Sequence, residues 1–386
     1  MTRPFAELGV APQLIEVLAA RGFDSAFAIQ ELTIEDALAG KDICGKAQTG
    51  SGKTLAFGIP TVQRLADGDR GKVRALILVP TRELANQVLE ELAPLAKAVG
   101  LSSLAVYGGA DIDKQINAIT RGVELIVATP GRMIDLLDRG AVSVASVEIT
   151  VLDEADRMAD MGFLPQVEWI LRRIDGTHQT LLFSATLDGA IDTLVKRYQN
   201  EPARHEVEGK EVTVEQMKHR FITVHQMDQA KVAASIINAN NRTMVFCNTK
   251  RMCDRLAEDL EKLGVSAEPI HGDLRQRQRE KALGAFSSGK LQALVATDVA
   301  ARGIHVDDVD VVLHFDPPDD HKTYLHRSGR TARAGGTGLA ITFVLWNQEL
   351  DVKRMQKRLA LDVPIVEMFS NDERLLDLAA WEPVEA

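Results

Sequence analysis

The sequence has 386 residues, a length that suits two compact domains better than one, and its 45% hydrophobic and 26% charged residues are typical of a globular chain rather than a disordered or fibrous one. No apolar run approaches the ~20 residues of a membrane helix, the N-terminus carries no apolar signal segment, and three scattered cysteines exclude a disulfide framework, which together predicts a cytoplasmic protein without a membrane partner. The formal net charge of -10 excludes a broad basic surface, so any nucleic-acid site must be a local groove.

Short apolar runs of strand type recur along both halves of the chain. They lie at 74–79, 103–107, 124–128, 146–152 and 180–183 in the first half, and at 221–224, 243–246, 265–270, 291–296, 310–315 and 339–344 in the second. Amphipathic helical stretches lie between many of them, including 81–99, 250–263 and 275–287. Because strands that alternate with helices form parallel sheets covered on both faces, the predicted fold class is α/β.

A charged stretch at 201–215 contains proline and glycine and lacks a clear apolar period, which is typical of a linker. We therefore predict an N-terminal domain at 1–205, a linker at 206–215, a C-terminal domain at 216–370 and a short acidic tail at 371–386. One internal echo favours duplication, since residues 126–129 read IVAT and residues 294–297 read LVAT. Four residues can match by chance, so the echo is weak evidence alone.

Polar groups follow several predicted strands directly, at 80–82, 129–132, 153–154, 184–186 and 297–298. In open α/β sheets, ligands bind beyond the carboxyl ends of the strands. This regular placement is the first indication that ligands bind at the carboxyl edge of each predicted sheet.

Residues 47–54 (AQTGSGKT) form a predicted phosphate-binding loop, although alanine occupies the first glycine position of the usual G-x-x-x-x-G-K-[ST] pattern. The glycines would let backbone N–H groups curl round an oxyanion, and the next helix would point its positive end at it. Lys53 would supply charge to the outer phosphates, and the Thr54 hydroxyl would contact Mg²⁺. The other predicted nucleotide contacts in this loop are Gln48, Thr49, Gly50, Ser51 and Gly52.

The stretch 151–156 (VLDEAD) predicts a strand that delivers two adjacent carboxylates to its carboxyl end. Asp153 suits the shell of a Mg²⁺ ion, and Glu154 suits positioning and activating an attacking water. Such a string is often a solvated helix start, but together with the phosphate loop upstream it indicates ATP hydrolysis.

Residues 326–333 (HRSGRTAR) place three arginines in the second domain. Arg330 and Arg333, three apart, are predicted to share a helix face and to stabilise charge on the transferring γ-phosphoryl group. A basic helix on the surface is the alternative. Arginine fingers from the second domain would make hydrolysis depend on domain closure.

With these motifs in order, the chain resembles the DEAD-box ATP-dependent RNA helicases of superfamily 2, of the bacterial kind. The resemblance runs from about Phe5 to Val344 and implies two tandem RecA-like domains that bind ATP and Mg²⁺. Residues 22–30 (GFDSAFAIQ) resemble the family's adenine-reading segment, although two alanines replace its usual prolines. The resemblance implies that Gln30 hydrogen-bonds the adenine edge, that Phe23 packs near the base and that Phe5 occupies the upstream aromatic position.

Two further segments resemble motifs that connect the ligands. Residues 184–186 (SAT) resemble the motif that couples hydrolysis to strand separation, and residues 298–303 (DVAARG) resemble a segment that places Gly303 near the nucleotide. His305 stands where the family usually has an aspartate aimed at the ribose, and an ordinary loop histidine is the alternative. The resemblance assigns coupling roles to Asp156, Ser184, Thr186, Asp298 and His326.

The resemblance also implies an RNA track of hydroxyls, backbone amides and arginines, which suit contacts with phosphates and 2′-OH groups. Its members are Pro80, Thr81, Arg82, Gly109, Thr129, Gly131 and Arg132 in the first domain and Thr249, Arg279 and Thr297 in the second. Aromatic residues total only 5%, so binding of single-stranded or short duplex RNA is expected to be largely independent of base sequence.

The sequence therefore predicts a monomeric RNA-dependent ATPase whose two domains close on ATP and RNA, locally unwind a short duplex and reopen after hydrolysis. An ATP-gated RNA clamp or ribonucleoprotein remodeller with little unwinding fits the same motifs. A DNA helicase or nuclease subunit fits less well, because no added metal-ligand cluster suggests cleavage.

Overall fold

The computed structural model describes residues 3–48, 50–174, 176–187, 189–207, 217–240, 242–301, 306, 309–331 and 338–382. The chain divides into two compact units, residues 1–209 and 210–386. Each unit contains a seven-stranded sheet whose pairings are parallel and whose faces carry helices. The predicted α/β class, with two tandem RecA-like domains, is therefore confirmed.

The first domain has the strand order β3-β4-β2-β5-β6-β1-β7. Its strands are β1 (Ile43–Lys46), β2 (Ala75–Leu78), β3 (Ser103–Val106), β4 (Leu125–Ala128), β5 (Ile149–Asp153), β6 (Gln179–Ser184) and β7 (Ala203–Glu206). Its helices are α1 (Pro12–Ala20), α2 (Ala28–Leu38), α3 (Lys53–Arg64), α4 (Arg82–Ala98), α5 (Ile112–Thr120), α6 (Pro130–Asp138), α7 (Ala155–Asp160), α8 (Leu164–Leu171) and α9 (Ala190–Tyr198), after a short 3-10 helix at Phe5–Leu8.

Both faces of this sheet are buried, which explains why its central strands read as continuous apolar runs. In β2, Ala75 and Ile77 join a cluster with residues of α2, α3 and α4, whereas Leu76 and Leu78 join a second cluster with residues of α6 and α8. The two clusters fix the strands from both sides, so the groups at the carboxyl ends of the strands are held on a rigid frame.

The second domain has the strand order β10-β11-β9-β12-β13-β8-β14. Its strands are β8 (Met217–Thr223), β9 (Thr243–Phe246), β10 (Ala267–Ile270), β11 (Ala293–Ala296), β12 (Val311–His314), β13 (Gly338–Val344) and β14 (Ile365–Glu367). Its helices are α10 (Gln229–Ala239), α11 (Lys250–Lys262), α12 (Gln276–Ser287), α13 (Asp298–Ala301), α14 (His321–Ser328) and α15 (Glu349–Arg358), followed by a 3-10 helix at Glu373–Leu376.

The two strand orders are the same when each strand is counted from the start of its own domain. By this correspondence β4 matches β11, and the echoed segments 126–129 and 294–297 fall on these two strands. The weak sequence echo therefore lies at equivalent places of two similar sheets.

Three strands, β1, β7 and β14, were not predicted. β1 reads ICGK and β7 reads ARHE, so neither has the apolar run of a central strand, and β7 and β14 lie at sheet edges, where polar side chains are common. The predicted linker began at 206, but Glu206 pairs with Lys46 in the sheet, and the Val207 N–H donates to the Lys46 carbonyl at 3.0 Å. The rest of that linker, 208–215, lies outside the described residues.

The segment predicted as a short acidic tail is packed as far as residue 382. Leu375 and Leu378 are 1% and 2% exposed in a core cluster of the second domain. The Arg220 guanidinium donates to the carbonyl oxygens of Leu378, at 2.9 Å, and Trp381. The prediction of a tail was based on the acidic composition of this segment and overlooked its buried leucines. Residues 383–386 lie outside the described part.

Candidate active site and nucleic-acid interface

The predicted phosphate loop connects β1 to α3. Gly50 and Gly52 have φ angles of +84° and +86°, a left-handed conformation that favours glycine. Lys53 is the first residue of α3 and is 7% exposed, and its Nζ donates to the Ala47 carbonyl at 2.8 Å. Thr54 is half-buried in the first helical turn. The loop therefore presents backbone N–H groups, an ammonium and a hydroxyl at a helix N-terminus, as phosphate binding requires.

The segment predicted to read adenine is joined directly to this loop. Gln30 is 1% exposed, its Oε1 accepts from the Phe27 N–H at 2.8 Å, and its Nε2 donates to the Gly52 carbonyl at 2.9 Å. Phe23 is half-buried under the Arg21 guanidinium. Phe5, by contrast, is 2% exposed within the core, so little of its ring is available to a ligand.

Sequence reasoning assigned no role to Phe27, whose side chain is 51% exposed. A Cβ atom added to Gly52 would lie 2.7 Å from Cδ2 of this ring, so the ring lies against the phosphate loop. The signal in the sequence was an aromatic residue in a polar loop, three positions before Gln30.

The two predicted carboxylates lie at the carboxyl end of β5. Asp153 is 3% exposed, and its Oδ1 accepts from the Glu154 N–H at 2.9 Å. Glu154 has a φ of +52°, a left-handed conformation that costs about 1–3 kcal/mol in a residue other than glycine. Its carboxylate accepts from Arg157 at 2.9 Å. Arg157, which the motif analysis did not single out, therefore fixes the direction of this carboxylate.

Ser184 connects the carboxylate strand to the phosphate loop. It is fully buried at the end of β6, its Oγ accepts from the Asp156 N–H at 3.2 Å, and its carbonyl accepts from the Ala47 N–H at 3.0 Å. Thr186, two residues further on, is exposed. The predicted coupling segment thus bonds to both halves of the site in the first domain.

In the second domain, Asp298 accepts two hydrogen bonds of 2.6 Å each from Nε and Nη2 of Arg327. Arg327 is 2% exposed and also donates to the Asp316 carbonyl and to Asn248 Oδ1, at 2.8 and 2.9 Å. Sequence reasoning gave Arg327 no role of its own. Arg327 is buried on α14, and its four hydrogen bonds connect this helix to α13, to the segment after β12 and to Asn248, so we call it the anchor of this region. Its neighbour His326, which was predicted to have a coupling role, is exposed.

The prediction that Arg330 continues a helix face is wrong. α14 ends at Ser328, where Gly329 caps it through a bond to the Leu325 carbonyl, so Arg330 lies in the turn that follows. Arg330 is 5% exposed. The described residues do not include three predicted site residues, Thr49, Gly303 and Arg333. They do not include His305 either.

A fully buried histidine lies beside this anchor, at the end of β12. His314 contacts Thr342 Oγ1 through Nδ1 at 3.1 Å, and its ring packs edge-on against Tyr324. Burial, together with the charge of Arg327 and the presence of His219, holds the pKa of His314 well below its usual value. The side chain is therefore neutral at physiological pH.

The predicted RNA residues of the first domain lie at the ends of β2, β3 and β4. Thr81 caps α4 by accepting from the Leu84 N–H at 3.3 Å, after the buried Pro80. Gly109 has a φ of +84°, and a Cβ there would lie 2.2 Å from Nη1 of Arg82, so this guanidinium covers the turn. These groups form a polar edge of backbone and side-chain donors.

The next part of this edge is the first turn of α6, after Thr129. A Cβ added at Gly131 would meet nothing within 4 Å, so this turn faces open space. Arg132 donates to the Ala110 carbonyl and to Gln115 Oε1, both at 3.2 Å. Its guanidinium therefore holds the neighbouring loop.

The second domain repeats this pattern at β9 and β11. Thr249 caps α11 by accepting from the Met252 N–H at 3.2 Å, and the Thr297 carbonyl accepts from the N–H groups of Ala300 and Ala301. Arg279 is 8% exposed and donates to the Ala300 carbonyl at 3.4 Å. Arg279 thus joins α12 to α13 from a buried position.

Within the described residues, no group of three or more His, Cys, Asp and Glu side chains could hold a metal ion by itself. Among the helices of the described ranges, none is long and apolar enough to cross a membrane.

Comparisons with known proteins agree with this geometry. The DEAD/DEAH box helicase family matches residues 27–194, and the Helicase conserved C-terminal domain matches residues 228–335. The chain is 42% identical over 382 residues to the DEAD-box ATP-dependent RNA helicase CshA of Bacillus cereus (strain ATCC 10987 / NRS 248), covering 96% of this chain and 72% of that protein. It is 44% identical over 342 residues to CshA of Geobacillus kaustophilus (strain HTA426), covering 88% of this chain and 73% of that protein.

Among solved structures, S. cerevisiae Dbp5 bound to RNA and ADP BeF3 superimposes with a TM-score of 0.82 at 30% identity, covering 97% of this chain and 98% of that one. Two RecA-like domains with a phosphate loop and a carboxylate pair define the helicase class of nucleotide-driven proteins. Within that class, the chain belongs to the DEAD-box family of ATP-dependent RNA helicases, which confirms the resemblance seen in the sequence.

Proposed function

We propose that this DEAD-box protein hydrolyses ATP when RNA is bound and uses the cycle to separate short RNA duplexes. The observation that carries the proposal is the placement of the phosphate loop, Asp153 and Ser184 at the carboxyl ends of β1, β5 and β6, which are neighbouring strands of one sheet. The bonds that Ser184 makes with Ala47 and Asp156 give a route by which a change at the phosphates reaches the carboxylate strand.

In this proposal, Gln30 recognises the adenine edge beside Phe23, with Phe5 supporting the segment from the core. The Gln30 amide now bonds to backbone groups of Phe27 and Gly52, so adenine binding exchanges a bond to the phosphate loop for a bond to the base. The loop N–H groups then bind the phosphates, and Gly303 completes the nucleotide contacts from the second domain.

Lys53 makes a similar exchange. Its ammonium leaves the Ala47 carbonyl, to which it donates at 2.8 Å, and binds the outer phosphates. Since Lys53 is 7% exposed, this interaction is weakly screened by solvent.

The donor set also fits a Mg²⁺ ion carried by ATP, which usually takes only one or two protein oxygens besides phosphates and waters. The Thr54 hydroxyl and the Asp153 carboxylate offer those oxygens, and the bond from the Glu154 N–H orients the carboxylate. The bound ion would neutralise charge that develops on the phosphate oxygens.

We assign the positioning of the attacking water to Glu154. Its ion pair with Arg157 and its left-handed backbone hold the carboxylate in one direction, which makes Arg157 a positioning residue. Arg330 and Arg333 would stabilise the transferring γ-phosphoryl group when ATP and RNA bring the two domains together.

We further propose that RNA binds along the polar edges that include Thr81, Gly131, Thr249 and Thr297. These edges offer hydroxyls and backbone N–H groups at helix N-termini, which contact phosphates and 2′-OH groups and do not read bases. Coupling through Asp156, Thr186, Asp298 and His326 would transmit hydrolysis to this track. The bound RNA is single-stranded or a short duplex, and its sequence matters little.

The proposal places this activity in one chain, with domain limits near 1–207 and 217–382. A monomer suffices because both sets of motifs lie in the same chain. We propose a cytoplasmic location, which is supported by three buried cysteines that form no disulfide.

The test measures ATP hydrolysis with no nucleic acid, with RNA and with DNA of equal length. We expect strong stimulation by RNA of any sequence and weak stimulation by DNA, because the track reads 2′-OH groups. Equal stimulation by DNA would contradict the RNA assignment. A parallel short-duplex displacement assay separates unwinding from the rival ATP-gated clamp, which would hydrolyse ATP and hold RNA without releasing a strand.

A further inference from the structure

The large hydrophobic side chains that the described residues expose are concentrated in one region of the second domain. Nine such side chains are exposed, and five of them follow β8, β13 and β14. Four of these, which we name the apolar surface, have exposed fractions of 85%, 85%, 73% and 51%: Met227, Trp346, Leu350 and Phe369. Single exposed hydrophobic residues are normal, but such a concentration marks an interaction site.

The fold brings these residues to one edge of the sheet. β8 lies between β13 and β14, with Thr223 paired to both Val344 and Glu367, and parallel strands are ~5 Å apart. Trp346 follows β13 by two residues, Phe369 follows β14 by two, and Met227 follows β8 by four. Asp228, the residue after Met227, accepts from the N–H of Ser370, the residue after Phe369, at 2.8 Å.

This edge corresponds to the nucleotide edge of the first domain. Each sheet places its first strand next to its sixth and seventh, and β1 is followed by the phosphate loop. β8 is followed instead by VHQMD at 224–228, which has neither the glycines nor the lysine of that loop. The apolar surface therefore occupies a ligand-binding position of the fold without phosphate-binding groups.

The charges beside the apolar surface disfavour a polyanion. Four cations beside it are each ion-paired with an acid of the same region: Lys231 with Asp228, Lys353 with Glu349, Arg354 with Asp351, and Arg374 with Asp372. Lys357 and Arg358 lie further along α15, are exposed and have no ion pair with any described residue. Glu367 and Glu373 are exposed and have no ion pair with any described residue. The part of the rim next to Phe369 therefore carries excess negative charge, which disfavours RNA there and suits a cationic partner.

The size of the apolar surface favours a short segment over a second copy of the chain. An aromatic side chain presents about 150–250 Å², so Trp346 and Phe369 expose on the order of 200–350 Å² together. Met227 and Leu350 add to this, but a stable protein interface needs about 800 Å² from each partner. Trp346 is of the type that dominates binding when it enters a pocket.

We infer that the apolar surface, Met227, Trp346, Leu350 and Phe369, is a docking site for a cationic amphipathic segment of a partner protein. This site is separate from the residues proposed to bind ATP and RNA.

The probe is a synthetic amphipathic helix of leucine and lysine, carrying a fluorophore and followed by anisotropy with the full chain. We expect micromolar binding, a loss of at least about 30-fold in Trp346→Ser/Leu350→Ser, and little binding of a leucine and glutamate helix. Glu367→Lys/Glu373→Lys should also weaken binding. The matched control is Leu263→Ser, which removes another exposed leucine of the same domain and should bind as the wild type does.

Both changes in the double variant are at exposed positions, and its RNA-stimulated ATPase activity should equal that of the wild type. Equal peptide binding by the double variant and the wild type would overturn the inference, as would equal binding of a peptide with the same composition in scrambled order. Sedimentation that shows a dimer lost in the double variant would assign the surface to a second copy. Reduced RNA affinity in the double variant would assign it to RNA.

Discussion

The two domains have sheets of the same strand order, yet they differ most at the ends of β1 and β8. β1 is followed by the phosphate loop and Lys53, whereas β8 is followed by His225, Gln226 and the exposed Met227. The ends of the adjacent strands differ too, since β6 leads to Ser184 and β13 leads to Trp346. The phosphate-binding groups at the ends of β1 and β6 therefore have no counterpart at the ends of β8 and β13. We call this part of the carboxyl edge of each sheet its nucleotide half.

The other half of the edge is nearly the same in both domains. Thr81 after β2 and Thr249 after β9 each accept a hydrogen bond from the N–H three residues ahead, at 3.3 and 3.2 Å. Thr129 and Thr297 follow the echoed strands β4 and β11. The comparison teaches that the strand ends proposed to bind RNA are repeated in both domains, whereas the phosphate loop follows β1 and has no counterpart after β8.

The first prediction tests whether the nucleotide half functions in one domain only. Lys53 and Lys231 both lie in the first turn of the helix after equivalent strands, but Lys53 is 7% exposed and the Lys231 side chain is 60% exposed. Lys53→Ala should lower ATP turnover by at least about 10²–10³-fold, the cost of one preorganised phosphate donor. Lys231→Ala should change turnover less than twofold. Comparable losses of ATP turnover in both variants would show that the two helix N-termini are not functionally different.

The second prediction concerns Glu154, whose equivalent in the second sheet is Asp316. Glu154→Gln should lower hydrolysis by about 10²–10⁴-fold, the usual contribution of a general base, while ATP still binds. RNA should then dissociate slowly in the presence of ATP, because the closed state persists. The control is Asp160→Asn at the end of α7, the helix that follows Glu154, at an exposed position. Release of RNA from Glu154→Gln at the wild-type rate would disprove the assigned role.

The third prediction uses His314, which lies where the first sheet has Leu152. Burial lowers the pKa of His314, so as the pH falls below about 6.5 the unfolded chain gains a proton that the folded domain does not. The free energy of unfolding of the second domain should therefore fall with pH, by up to about 1.4 kcal/mol per unit, until the folded-state pKa is reached. This stability is fully present above about pH 6.5.

Urea denaturation at several pH values checks this prediction, with Trp381 reporting on the second domain and Trp169 on the first. His314→Leu, which copies the first sheet, should make the second domain less sensitive to pH between about 5 and 7. An unchanged pH dependence in this variant would show that other groups cause it.

The sequence predicted the parallel sheets and the main motifs because their signals are local. Apolar runs such as 291–296 identify buried strands, and GKT after a strand identifies a phosphate loop. It missed β1, β7 and β14, since their short sequences ICGK, ARHE and IVE lack a continuous apolar run. It extended the helix of Arg330 because HRSGRTAR has helical spacing and no breaker stronger than one glycine.

The roles of Arg327 and Phe27 depend on tertiary contacts, since Arg327 bonds to Asp298 and Phe27 lies against Gly52. Arg157 pairs with Glu154, three residues before it, which is a local spacing that the motifs alone did not single out. Arg327 and Arg330 look alike in the sequence, yet in the structure Arg327 makes two bonds to Asp298 from a site 2% exposed. The partner of a charged side chain is set by tertiary packing, so the sequence could supply the candidates but not choose among them.

The last and smallest expected effect concerns Phe27, for which the second domain offers a matched control. Phe27 and Phe369 are each 51% exposed, but only Phe27 lies against Gly52 of the phosphate loop. A nucleotide bound at this loop would cover part of the Phe27 ring, and burying part of an aromatic side chain contributes about 1–1.4 kcal/mol. Phe27→Ala should therefore raise KM for ATP about 5–10-fold and leave kcat within twofold.

Phe27→Trp should keep KM near the wild-type value, because it preserves an aromatic face beside Gly52, and Phe369→Ala should leave KM unchanged. The thermal midpoint separates a ligand contact from a purely structural role, since a half-exposed ring contributes little to the core. If Phe27→Ala lowers Tm strongly while KM stays constant, Phe27 supports the loop and does not touch the nucleotide. In that case the two phenylalanines would be alike in having no nucleotide role, and recognition of the base would depend on Gln30 and Phe23.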